Sequence, residues 1–128
     1  MQYLGGKSRL AKPIVAALTS WLDDLGQAPT TYLEPFLGGA NILPHLPADR
    51  FEHVVASDLV LDLVLYWAAV RDGWEPPEEL SEEVYAELKT AEPSALRAFA
   101  GFGCSFGGKW CAGYARSRKG VRNFAGGA

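Results

Sequence analysis

Apolar residues fall at three- and four-residue spacings through Leu10, Ile14, Val15, Leu18, Trp21, Leu22 and Leu25, which predicts an amphipathic helix over residues 8–25. Ser8 is its expected N-cap, Pro13 sits early enough to be tolerated, and Gly26 is the expected stop. After a loop, the β-prone run Tyr32-Leu33 ends in Glu34-Pro35 and opens into Phe36-Leu37-Gly38-Gly39-Ala40-Asn41. Residues 41–46 have room for one or two helical turns, ended by Pro44 or Pro47. Val54-Val55-Ala56-Ser57-Asp58 reads as a second short, buried strand ending in a carboxylate. The strongly apolar stretch 59–70 predicts a helix closed by Asp72-Gly73, of the kind that packs on a sheet.

The second half changes character. Glu75-Pro76-Pro77-Glu78 is a turn or linker, and residues 81–90 form an amphipathic pattern. There Ser81-Glu82-Glu83-Val84 makes a capping box only if the cap shifts by one residue. Residues 93–100 predict another helix, with Pro93 in its first turn. From Gly101 the chain is rich in glycine, interleaved with Phe102, Phe106, Trp110 and Tyr114, and reads as loop or hairpin. There is no internal repeat. The fold class is therefore α/β, with an incomplete sheet and a helical, glycine-rich region at the C-terminal end. Such a sheet needs more strands than the pattern shows. Either the chain associates to complete itself or it is the front part of a longer protein, and the second is the expectation.

At 128 residues with 48% hydrophobic content, the chain supports one domain with a modest core. The net charge of −3 is unremarkable, but its distribution is not. Acids dominate from Glu34 to Glu92, whereas from Arg97 onward there is none, only Arg97, Lys109, Arg116, Arg118, Lys119 and Arg122. Lys7, Arg9 and Lys12 make the N-terminus basic too. A basic end on an acidic body suits a polyanion met through one face; an unpaired basic tail is the plainer alternative. Cys104 and Cys111 lack a C-x-x-C spacing and are expected to be free thiols in a reducing cytoplasm. His45 and His53 form no metal-ligand pattern, so no metal is assigned, and no apolar run approaches the ~20 residues that span a bilayer.

Strand, glycine turn and helix start, in that order, make a ligand-cradling corner. Missing side chains let a ligand approach the backbone, and a helix start offers unpaired N–H groups. A tight turn with purely steric glycines is the competing reading. Asp58, about twenty residues on, is placed either to accept from ribose hydroxyls or to cap the helix that follows. Without a G-x-G-x-x-G motif a dinucleotide site is not supported. Tyr3-Leu4-Gly5-Gly6-Lys7-Ser8 shares the Gly-Lys-Ser ending of a P-loop, but its first glycine position is Met1 and no strand precedes it. What remains is a glycine pair and a lysine able to meet a carboxylate or phosphate, or simply an exposed surface lysine.

Taken together, Tyr-Leu-Gly-Gly-Lys at residues 3–7, Glu-Pro-Phe-Leu-Gly-Gly-Ala at 34–40, Ser-Asp-Leu at 57–59, Leu-Val-Leu-Tyr-Trp at 63–67 and Arg-Asp-Gly at 71–73 resemble the Dam-type DNA adenine-N6 methyltransferases. The resemblance spans residues 1–74 and continues more loosely through residues 102–110, similar to the segment phage-type relatives place before and within their DNA-recognition region. It implies a Rossmann-like, S-adenosylmethionine-dependent methyltransferase fold, with residues 1–74 as the cofactor-binding part. Residues 75–128 are then a helical linker and the start of DNA recognition. It further implies that Tyr3 and Lys7 line the cofactor pocket, that Glu34, Pro35, Phe36, Gly38 and Gly39 cradle the methionine side, and that Asp58 accepts from the ribose. Lys109, Arg116, Arg118, Lys119 and Arg122 are expected at double-stranded DNA, chiefly at phosphates. Phe106, Trp110 and Tyr114 are candidates for stacking on bases, with hydrophobic packing an equal alternative.

The departure from the family is the catalytic motif, an Asp-Pro-Pro-Tyr-like tetrad that lies beyond the DNA-recognition region and holds a flipped adenine. Pro76-Pro77 is flanked by Glu75 and Glu78 in an acidic linker and is not that motif. The chain reaches Ala128 without it, so no catalytic residue is assigned. The expectation is the N-terminal portion of an adenine methyltransferase. The alternative is a non-catalytic module that retains affinity for S-adenosylmethionine or DNA.

Overall fold

Two short strands, β1 (Thr31–Glu34) and β2 (His53–Ala56), pair in parallel in the computed structural model, which describes residues 1–116. The register sets Thr31 opposite His53 and Glu34 opposite Ala56, so both strands end on the same side. The described chain divides into two compact units, one of residues 6–59 and one made of residues 1–5 and 60–116.

In the first of these, the helix expected over residues 8–25 is α1 (Ala11–Asp24), which buries Ala11, Val15 and Leu22. Its N-cap is Leu10 rather than Ser8 and has no side-chain cap bond. A turn closed by Leu10 N–H on the Lys7 carbonyl at 2.9 Å precedes it instead. Its end is a Schellman motif. Gly26 N–H bonds the Asp23 carbonyl and Gln27 N–H the Leu22 carbonyl, both at 3.0 Å, with Gly26 at φ 61°. Pro44 does not end the helical turn after the glycines but lies inside it, in a 3-10 turn over Leu43–His45, and the chain extends at Leu46 ahead of Pro47.

The second strand is not buried as its apolar run suggested. Val54 and Val55 are 50% and 49% exposed, and Leu33 on β1 is 61% exposed. Continuous apolar runs belong to strands covered on both faces, and two strands are too few to supply that cover.

The other unit is helical. α2 (Leu61–Arg71), α3 (Glu82–Leu88) and α4 (Ala95–Ala98) gather a core of Tyr66, Leu80, Tyr85, Ala98, Phe99, Ala100 and Cys104. α2 packs on α4, and Asp62, 5% exposed, bridges the two: its Oδ1 accepts from Ser94 N–H at 3.2 Å, and its Oδ2 lies 3.3 Å from Arg97 Nη1. Ser81 caps α3 without any shift, accepting from Val84 N–H at 3.2 Å, but Val84 has no acid to complete the box. Pro93 precedes the N-cap of α4, Ser94, and is not in the helix.

Beyond α4 the chain does not turn to loop at Gly101. Phe99–Gly103 continues as a buried π-helical turn. Glycine makes this possible by close approach: a Cβ on Gly101 would stand 2.3 Å from the Trp110 ring. The indole, returning along the chain, occupies the side-chain space of residue 101. The hairpin expectation holds from there. Ser105 and Tyr114 form an antiparallel bridge, with Phe106 N–H on the Gly113 carbonyl at 2.9 Å and Ala115 N–H on the Cys104 carbonyl at 2.8 Å. Ser105 is fully buried and satisfied: Gly113 N–H donates to the Tyr85 hydroxyl, which donates to Ser105 Oγ, which donates to the Ala100 carbonyl.

Candidate functional site

The carboxyl ends of β1 and β2 are where the local chemistry concentrates, as open parallel sheets favour. Four hydrogen bonds stitch the turn after β1 to the residues after β2. Ser57 N–H reaches the Glu34 carbonyl and Leu37 N–H the Ser57 carbonyl, both at 2.9 Å. The Ser57 hydroxyl donates to the Pro35 carbonyl at 3.3 Å, and Gly38 N–H donates to Asp58 Oδ2 at 2.8 Å.

The turn closes with Ala40 N–H on the Leu37 carbonyl at 2.9 Å. Its left-handed residues are Gly38 at φ 51° and Ala40 at φ 52°, not the two glycines together. Ala40 holds a conformation that costs an ordinary residue about 1 kcal/mol. The buried seating of Leu37 and Ala40, both 8% exposed, is what holds it there.

Two apolar side chains beside this polar stitch are exposed. Phe36 is 86% exposed and Leu59, the residue after Asp58, is fully exposed. Glu34 is half-buried, and its Oε2 accepts from the Tyr32 hydroxyl at 2.5 Å. Burial first, then the bond to Glu34 and that carboxylate's charge, push the Tyr32 phenol well above its ordinary pKa. Tyr32 also packs its ring 5.5 Å from that of Phe51.

The expected cofactor residues thus sort by place. Glu34, Pro35, Gly38 and Asp58 are joined by the stitch, and Phe36 and Gly39 lie within the same turn. Lys7 is exposed on the turn before α1, in the same unit. Tyr3 belongs to the other unit, where its ring lies 5.0 Å from Phe102 and Leu4 N–H bonds the Gly108 carbonyl at 3.0 Å. Sequence reasoning missed Tyr32, Ser57 and the left-handed Ala40. For Tyr32 the signal was present, since residues two apart on a strand share a face. For Ala40 there was none.

The expected DNA-contacting residues divide as well. Lys109 is exposed on the hairpin, close in sequence to Phe106, which is 75% exposed. Arg116 is exposed but paired with Glu82, whose carboxyl it holds below the usual range. Arg118, Lys119 and Arg122 lie outside the described residues. Of the aromatic candidates, Trp110 packs between Phe102 at 4.7 Å and the Arg97 guanidinium at 5.2 Å, and the Tyr114 hydroxyl donates to the Leu80 carbonyl at 2.6 Å. Both are engaged in internal packing, whereas the Phe106 ring is exposed.

Among the described residues no group of three or more His, Cys, Asp or Glu side chains is arranged to hold a metal. No described helix is long and apolar enough to cross a membrane. The family model described as D12 class N6 adenine-specific DNA methyltransferase matches residues 3–98. No curated protein and no solved structure matches the chain significantly.

Proposed function

The chain belongs to the D12 class of N6 adenine-specific DNA methyltransferases, and on that premise we propose that its glycine turn and Asp58 hold S-adenosylmethionine for methyl transfer to adenine in double-stranded DNA. The observation that carries the reading is the Gly38–Asp58 bond of 2.8 Å, which fastens the turn to the acid at the carboxyl end of a parallel strand pair. The donor set suits the cofactor: carboxylates at Glu34 and Asp58 for its ammonium and hydroxyl groups, and exposed Phe36 and Leu59 for its apolar parts.

When bound, the cofactor supplies a methyl group on a sulfonium centre. The chain's own residues bind and orient it. Glu34 and the Pro35–Gly39 turn take the methionine side, Asp58 accepts from ribose hydroxyls, and Lys7 lies on the turn before α1. Lys109, Arg116, Arg118, Lys119 and Arg122 meet DNA phosphates. The complete enzyme is Rossmann-like, with residues 1–74 serving the cofactor and 75–128 leading into DNA recognition.

The 128 residues hold no Asp-Pro-Pro-Tyr-type tetrad, and Pro76-Pro77 lies in the acidic segment between α2 and α3. The reading is that this tetrad is supplied elsewhere, along a longer polypeptide or by another one. Exposed Leu33, Val54 and Val55 support it, because they are strand residues awaiting cover. Calorimetric titration with S-adenosylmethionine tests the reading: wild type binds and Asp58→Ala loses at least tenfold in affinity. No heat with wild type overturns it. Methylation of adenine by the purified 128-residue chain overturns the need for an outside tetrad, whereas binding without methylation accords with it.

A further inference from the structure

Tyr32 carries a hydroxyl that packing alone does not require. Its ring is half-buried against Phe51, and its O–H is spent on Glu34 Oε2 at 2.5 Å. Strand geometry puts residues 32 and 34 on the same face of β1, so the contact is built into the strand rather than into a mobile loop. The other carboxylate oxygen, Oε1, has no hydrogen-bond or ion-pair partner among the described residues. Glu34 is thus a carboxylate pinned at one oxygen and open at the other. It stands at the last position of the strand, immediately before the turn that Asp58 fastens. An ionised carboxylate is acceptor-only, and its strongest partners are cationic N–H donors.

We propose that Tyr32 is a positioning residue that fixes Glu34 to receive the α-ammonium group of the cofactor's amino-acid moiety. The inference rests on the S-adenosylmethionine reading above. Holding the acceptor in place before the ligand arrives removes the cost of ordering a free glutamate side chain on binding. The raised pKa of the phenol keeps its proton in place wherever the ligand's ammonium is charged. Tyr32→Phe is a clean probe, because it keeps the ring against Phe51 and deletes only the donor.

The test compares two ligands by calorimetry: S-adenosylhomocysteine, which carries the ammonium, and methylthioadenosine, which has the nucleoside and thioether but no amino acid. Tyr32→Phe is expected to weaken S-adenosylhomocysteine about tenfold, the effect of one hydrogen bond's worth of affinity, and to leave methylthioadenosine unchanged. Glu34→Gln is expected to show the same selectivity, with Tyr32→Phe adding nothing on top of it. Unfolding midpoints of the variants verify that each is folded. Equal losses on both ligands, or no loss on either, overturn the proposal and leave the cofactor reading standing. Wild type that binds neither ligand overturns the cofactor reading itself, and this inference with it.

Discussion

The backbone N–H of Gly38 donates to Asp58 Oδ2 at 2.8 Å, across twenty residues of chain. Asp58→Ala removes this half-buried hydrogen bond, and the expected loss is about 1 kcal/mol of stability, read from urea unfolding. Asp58→Asn retains a carbonyl oxygen and is expected to recover most of that loss while still binding S-adenosylmethionine less tightly. The split between folding and binding separates the acid's structural bond from its role toward ligand.

Asp62 and Arg97 form a largely buried pair, with side-chain exposures of 7% and 19%. Asp62→Ala removes the partner of Arg97 and the acceptor of Ser94 N–H together. A loss of about 3 kcal/mol is expected, at the lower end for a broken buried pair because Arg97 keeps the Leu88 carbonyl and the Trp110 face. Denaturant unfolding monitored by tryptophan fluorescence measures it, since Trp110 sits over the same guanidinium.

Binding to duplex DNA is expected to be salt-dependent, with Lys109→Ala lowering the slope of log K against log salt by about one. Arg116 starts from a pair with Glu82, an exposed contact worth little. Glu82→Ala is therefore expected to strengthen DNA binding by less than tenfold, by releasing the guanidinium and removing an acid. Fluorescence anisotropy with a labelled duplex at several salt concentrations reads both effects.

Burial pushes the Cys104 thiol from its ordinary 9.0 up to about 11. The folded state thus holds its proton more tightly than the unfolded state, so stability is intact below pH 9 and falls as pH rises toward 11. The two-unit difference amounts to about 3 kcal/mol. Tyr66, whose phenol is also raised by burial and by Cys104, adds to the same alkaline loss. Cys104→Ala is expected to flatten, not abolish, the decline in a series of unfolding curves from pH 8 to 11.

Much of the local structure was legible in the chain. The spacing of Val15 and Leu22 and the stop at Gly26 specified α1, because helix periodicity and a left-handed cap are properties of neighbouring residues. The corner after Glu34 was legible for the same reason, as proline and glycine restrict or free their own backbone. The errors fell where distant residues decide. Apolar Val54 and Val55 signalled a buried strand, but burial depends on how many strands lie alongside. Gly101 signalled loop, yet Trp110 fills its side-chain space and the helix runs on to Gly103.

The sequence by itself determined the family, the glycine turn and the acid that follows it, since these are written as residue types in a fixed order. Only the tertiary structure decided that Gly38 N–H meets Asp58, that Ala40 carries the left-handed strain, and that Tyr32 holds Glu34 by one oxygen. Order along a chain names the groups available for bonding. Parallel pairing of β1 with β2 brings their ends together, and a hydrogen bond forms only between groups that the fold has put within reach.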